Sequence, residues 1–195
     1  AQRANNPERP SVNSKVYQYH FTADTRRLTE GSAPSVFQTS HVITAEIDVP
    51  EEGGNGVIVA MGGRTAGYTL YMMDGYLNYE YKWFTREYYL THSENKIEPG
   101  KHTVKMVYEQ MPFRPFVDLT GGTVKLYVDD VLVGEGKTDK MVFGKYTLTE
   151  TLDIGVDLGS SVSQQYEPME PFAFNGKINY VDYDISPSRP EILEN

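Results

Sequence analysis

A chain of 195 residues with 39% hydrophobic and 12% aromatic content can bury one good core and has little left for a second. It contains no cysteine, which excludes a disulfide framework, a thiolate zinc site and a cysteine nucleophile. The formal net charge of −9 argues against a nucleic-acid partner, whose binding needs clustered lysine and arginine, and no apolar run approaches the roughly 20 residues of a membrane helix.

Residues 1–15 read as a linker or tail, because Ala1 to Pro10 is polar and carries two prolines and two asparagines, as a connection to something upstream would. A single domain is expected over residues 16–186. Its first clear strand is Val42 to Val49, where Ile43, Ala45, Ile47 and Val49 share one face and Thr44, Glu46 and Asp48 the other, until Pro50 stops the ladder. A glycine-rich turn over Glu51 to Gly56 leads into Val57 to Met61, a continuous apolar run suited to a fully buried strand. Tyr68 to Met73 and Tyr76 to Phe84 flank Asp74-Gly75, a dipeptide that favours the type I′ hairpin turn.

Tyr88 to His92 continues the pattern, and His102 to Glu109 follows the Pro99-Gly100 turn. Thr123 to Val128 and Val131 to Gly136 form a second hairpin about Asp129-Asp130. Leu152 to Val156 and Gly176 to Ile185 complete the series, and residues 187–195 form a polar tail with two prolines counted from Pro187. About ten short strands without helical periodicity between them predict an all-β fold, two antiparallel sheets packed as a sandwich or jelly roll.

Three groups of residues invite a chemical reading. Glu46 and Asp48 share a strand face in a string similar to the acidic motif of jelly-roll β-glucanases, which need two carboxylates about 5 Å apart. Pro50 ends the ladder where Glu51 would have to stay in register, so a solvated strand edge is favoured there. Tyr79, Tyr81 and Trp83 alternate on one face and can stack on sugar rings as in carbohydrate-binding modules, or equally fill a sandwich core. The core is favoured of the two, with Tyr76, Asn78, Glu80 and Lys82 looking outward. Asp153 and Asp157 flank an oxygen-rich loop that calcium sites sometimes use, but turn capping explains them as well, and the four histidines (His20, His41, His92, His102) lack the spacing of a metal site. No metal site is predicted in this chain.

A set of strings running from about Gly31 to Ile185 carries a further signal. They include Gly31-Ser32-Ala33-Pro34, Gly62-Gly63-Arg64, Asp74-Gly75 with Tyr79 and Tyr81, Gly100-Lys101-His102-Thr103-Val104 and Leu126-Tyr127-Val128-Asp129. The most characteristic is Glu150-Thr151-Leu152-Asp153 continuing through Gly155, Asp157, Gly159-Ser160 and Val162-Ser163 to Phe172, Phe174 and Gly176. In order and spacing the set resembles the C-terminal β-sandwich domain of bacterial arylsulfatases of the alkaline-phosphatase-like sulfatase family.

The resemblance implies a concanavalin A-like jelly roll attached to a sulfatase catalytic domain, which hydrolyses sulfate esters with a formylglycine and a bound calcium. Those groups belong to the catalytic domain, so the resemblance implies no catalytic residue and no cofactor in this chain. Pro187-Ser188-Arg189 matches the end of that family's modification signature, but Ile185 stands where the modifiable cysteine or serine belongs. The expected function is that of a non-catalytic accessory domain packing on a sulfatase catalytic domain in cis and shaping its substrate cleft. A free carbohydrate-binding module, taking a sulfated or neutral glycan, is the alternative, with a glucanase-like hydrolase behind it. The compartment stays open, with a periplasmic or exported location favoured. Met111 to Leu119 departs from the family's glycine-rich hairpin tip, and its apolar residues Met111, Phe113, Phe116 and Val117 are expected either to meet a partner or to fold back over the sandwich.

Overall fold

The alternating segments fold as antiparallel strands, and the computed structural model describes residues 17–113, 118–142 and 144–185. In chain order the strands are β1 (Gln18–Thr22), β2 (Leu28–Thr29), β3 (His41–Val49), β4 (Gly56–Gly62), β5 (Gly67–Met73) and β6 (Tyr76–Trp83). They continue with β7 (Glu87–His92), β8 (Gly100–Gln110), β9 (Thr120–Val128), β10 (Val131–Lys140), β11 (Thr151–Ile154) and β12 (Lys177–Ile185). Sheet I has the order β1-β12-β3-β8-β9-β10 and sheet II the order β2-β11-β4-β5-β6-β7. This is the two-sheet antiparallel sandwich that the alternation predicts, with β1 and β2 as strands the pattern did not reveal.

The turns follow their residues. Asp74 and Gly75 adopt φ of 52° and 85°, and Asp129 and Asp130 adopt 50° and 64°, the left-handed pairs that a two-residue I′ hairpin needs. In β3 the side chains of Ile43, Ala45, Ile47 and Val49 are buried while the residues between them are half-buried. β4 is buried along its whole length. A bulge between Val57 and Val59 lets Ile58 and Val59 both join the inter-sheet core, while Val57 and Ala60 belong to a second cluster. At the far side of the sandwich β7 and β10 abut, and the Glu94 N–H donates to the Val133 carbonyl at 2.8 Å.

The second cluster comes from a segment without regular structure. Between β11 and β12 the chain leaves sheet II at Gly155, crosses its outer face and returns to β4 at Ala173, which bridges Val57 in parallel. Val162, Tyr166 and Phe172 from this strap pack on Val57, Ala60 and Tyr71. The Val57 N–H donates to the Phe172 carbonyl at 2.9 Å, and Gly155 N–H to Ile58 at 2.8 Å. Sheet II is therefore buried on both faces over β4 to β6, with polar Thr69, Asn78, Glu80 and Lys82 among the residues on its covered outer side.

Asp157 is the polar clasp of the strap. Its Oδ2 accepts the Val162 N–H at 2.8 Å and the Tyr166 hydroxyl at 2.7 Å. Burial pushes its carboxyl up to about 6, against those two hydrogen bonds, which favour the ionised form. The ordinary value is 3.8, so the stability that Asp157 contributes is full below that pH and is lost as the pH rises through about 6.

Two outcomes follow for the strap. Gly56 has φ of 116°, and a Cβ there would lie 2.3 Å from the Phe174 Cα and 2.4 Å from the Ala173 carbonyl oxygen. Gly56→Ala should cost about 2 kcal/mol or more in urea denaturation and speed hydrogen exchange at Val57 and Asn175; an unchanged midpoint would mean the strap is not held there. For Asp157, the stability of the wild type relative to Asp157→Asn should rise by up to about 3 kcal/mol between pH 7.5 and 4, and a difference flat with pH would contradict the burial.

Candidate functional site

The alternation along β6 places Tyr79, Tyr81 and Trp83 on its inner face, between the sheets. Their exposures are 1%, 0% and 8%, which corrects the expectation of a ligand platform: no ring face is open to solvent. Tyr79 lies 6.4 Å from Tyr68 and Tyr81 lies 6.0 Å from Tyr146, ring centre to ring centre. The Tyr81 hydroxyl accepts the Val142 N–H at 2.7 Å. Lys140 covers Trp83 with its ammonium 4.5 Å from the ring centre. These side chains fill a core with large buried rings; the Tyr81 hydroxyl is paired, whereas the Tyr79 hydroxyl and the Trp83 indole N–H have no hydrogen-bond partner among the described residues.

The apolar loop divides. Phe113 is buried at 7% exposure and so turns inward, whereas Met111 is open at 38%; Phe116 and Val117 lie outside the described residues. The Gln110 side chain ties the base of the loop, donating to the carbonyls of Met111, Thr120 and Gly121 at 2.8–3.1 Å.

The other candidates are committed to their neighbours. Glu46 accepts from Asn179 Nδ2 at 2.7 Å and faces Lys101 at 3.8 Å on the outer side of sheet I. Asp153 accepts the Arg27 N–H at 2.6 Å and the Thr151 hydroxyl at 2.9 Å, so it caps chain, as Asp157 does. His20 pairs with Asp182, and His102 lies between Asp129 and the Glu98 carbonyl. His41 is buried against Tyr108, and burial pushes its ring down to about 4. Among the described residues no group of three or more His, Asp or Glu is placed to hold a metal ion.

The outward row of β6 holds what the alternation alone could not show. Tyr76, Asn78, Glu80 and Lys82 do face away from the inter-sheet core, but of the four only Tyr76 keeps an open side: Asn78 is 6% exposed, and the strap covers Glu80 at 3% and Lys82 at 1%. Glu80 accepts the Ser163 hydroxyl at 2.6 Å, and Lys82 donates to the Val162 carbonyl at 3.0 Å. Burial pushes the Glu80 carboxyl above the usual range and the Lys82 ammonium below its own. The Ser163 oxygen also accepts the Gln165 N–H at 3.1 Å, so the buried carboxylate fixes the strap residue that stands at its open margin.

Beyond that margin, where the strap ends and β6 and β7 run free, a cleft of about 420 Å³ opens. It is lined by Met73, Asp74, Tyr76, Asn78, His92, Glu94 and Gln165. Four parts of the chain meet there: the β5–β6 turn, the outer rows of β6 and β7, the segment after β7, and the strap. Asn78 and His92 are paired across the two strands. The Asn78 amide donates to the Tyr76 carbonyl at 2.9 Å, and the Lys96 ammonium lies 5.6 Å from the Tyr76 ring centre. Among the described residues the carboxylates of Asp74 and Glu94 and the Gln165 amide have no hydrogen-bond partner in the protein. Such a lining offers an aromatic ring beside free donors and acceptors, the mixture that small polar ligands need. A second cleft of about 450 Å³ lies on sheet I around His20 and Asp182, but those two groups satisfy each other.

No protein-family model matches this sequence, and no curated protein matches it. Solved structures do share the fold. The mouse laminin alpha1 chain domains LG4-5 superimpose with a TM-score of 0.57 at 11% identity, over 91% of this chain and 44% of that one, so this chain spans less than half of the laminin pair. The CBM40 of the Ruminococcus gnavus IT-sialidase, in a structure bound to alpha2,6 sialyllactose, gives 0.55 at 14% identity over 91% and 94% of the two chains. A further structure of that CBM40 gives 0.53 at 13% identity over 92% and 90% of the two chains. At these identities the likeness is one of fold, a jelly-roll β-sandwich, and none of these three structures is a sulfatase.

Proposed function

We propose that this chain is a non-catalytic glycan-binding accessory domain, and that the cleft at the free margin of sheet II holds the sugar. The observation that carries the reading is the lining itself: the Tyr76 ring stands beside Asn78, His92 and Gln165, with the unengaged carboxylates of Asp74 and Glu94 around it. A sugar presents an apolar face of C–H groups and a rim of hydroxyls, each both donor and acceptor. One ring to pack on and several amides and carboxylates at its edge match that surface. The sandwich fold shared with a sialyllactose-bound module agrees with this use.

Titration of the intact chain against a panel of soluble polysaccharides tests this. Tyr76→Ala should weaken the binding by about tenfold or more while leaving the unfolding transition in place. Binding that is indifferent to Tyr76 would remove this cleft from consideration.

The second reading is that the domain serves an arylsulfatase in cis, with a sulfatase catalytic domain as its partner and the formylglycine and calcium carried there. What favours it is that the most characteristic string of the resemblance coincides with the strap. Glu150 accepts the Ser160 hydroxyl at 2.8 Å, Asp153 caps Arg27, Asp157 clasps Val162 and Tyr166, and Phe172 fills the second cluster. Met111, open at the rim of its loop, is the part of the expected interface available to such a partner. The coding sequence upstream of Ala1 should then encode a sulfatase in frame; a reading frame starting immediately before Ala1 with no sulfatase upstream would end this reading.

A further inference from the structure

We infer that the cleft selects neutral oligosaccharides and rejects sulfated and sialylated ones, an inference that deepens the glycan reading and rests on it. Around the Asp74–Gly75 turn the cleft runs on into a second depression of about 580 Å³, and Asp74 lines both. Along this continuous surface stand the carboxylates of Asp74 and Glu94, then of Glu51, Glu52 and Glu98. The single lysine of the lining is Lys96, whose ammonium already lies over the Tyr76 ring. At pH 7 the surface is therefore strongly negative where a ligand would enter.

The consequence depends on the charge of the ligand. A sulfate or carboxylate entering the cleft gives up hydration and meets mostly like charge, with the Lys96 ammonium set against five carboxylates. A hydroxyl fares in the opposite way, because an ionised carboxylate accepts its proton in a charge-assisted hydrogen bond. Gln165 adds an amide that both donates and accepts. Among the described residues of sheet I, Lys101, Lys105, Lys125 and Lys137 each lie within 3.8 Å of a carboxylate, of Glu46, Asp130, Glu109 and Asp139 in turn.

A glycan array printed with matched neutral, sulfated and sialylated forms of the same backbones provides the test, using the whole chain. Signal is expected on neutral members, with the charged forms weaker by at least about tenfold. The double variant Asp74→Asn, Glu94→Gln should narrow that gap, and so should added salt, since both weaken the repulsion. Asparagine readily adopts the left-handed backbone of position 74, so the variant keeps the turn. Charged forms that bind as well as the neutral ones, or a gap untouched by the double variant, would overturn the inference. A blank array would instead overturn the glycan reading itself.

Discussion

The strap is held on sheet II by two kinds of contact that depend on each other. Val162, Tyr166 and Phe172 fill the apolar ground formed by Val57, Ala60 and Tyr71 and exclude water from it. That exclusion strands Glu80 and Lys82, which tolerate it because strap residues 163 and 162 supply a hydroxyl and a carbonyl in the right places. Each buried ionic group would be costly alone, and removing one partner leaves the other uncompensated. The apolar cluster without the polar contacts would bury unpaired charge, and the polar contacts without the cluster would be exchanged for water. The position of Gln165, and with it one wall of the cleft, follows from this arrangement.

Much of the sandwich could be read from residue order. β3 and the two hairpins about Asp74-Gly75 and Asp129-Asp130 carry both alternation and turn chemistry, and local rules suffice for them. β1 and β2 were less legible, because five and two residues hold too little pattern to stand out. Alternation also assigned Glu80 and Lys82 correctly to the face opposite Tyr79 and Tyr81. It could not say that this face would be covered, because the strap has no period and reaches it through contacts between residues about 80 positions apart. A signal was present in β5, where Tyr68, Leu70 and Met72 alternate with Thr69, Tyr71 and Met73, so that neither face carries a charge.

The cleft was the least legible part, for the same physical reason. Its lining is gathered from four separate pieces of chain, and each residue alone is an ordinary turn or surface residue. The aromatic row that attracted notice in the sequence serves packing, whereas Tyr76, one row across, is the ring left beside free polar groups. In a two-sided sheet the identity of a residue says what it can contact, and only the covering of each face decides what it does contact. The jelly-roll neighbours share this scaffold while differing from the chain at more than four residues in five, so the site has to be judged from its own lining.

The hydrogen bond from the Ile185 N–H to the Tyr17 carbonyl, at 2.7 Å, brings the first and last described strands side by side at one margin of sheet I. The β6–β7 cleft lies by the opposite margin, where β7 meets β10, five strand spacings or about 24 Å across the sheet. Residues 17 and 185, where the described sandwich begins and ends, thus lie on a different side from the cleft. A bulky neighbour resting on that margin of sheet I would leave the cleft unshadowed, and an extended chain lying in the cleft would not meet it.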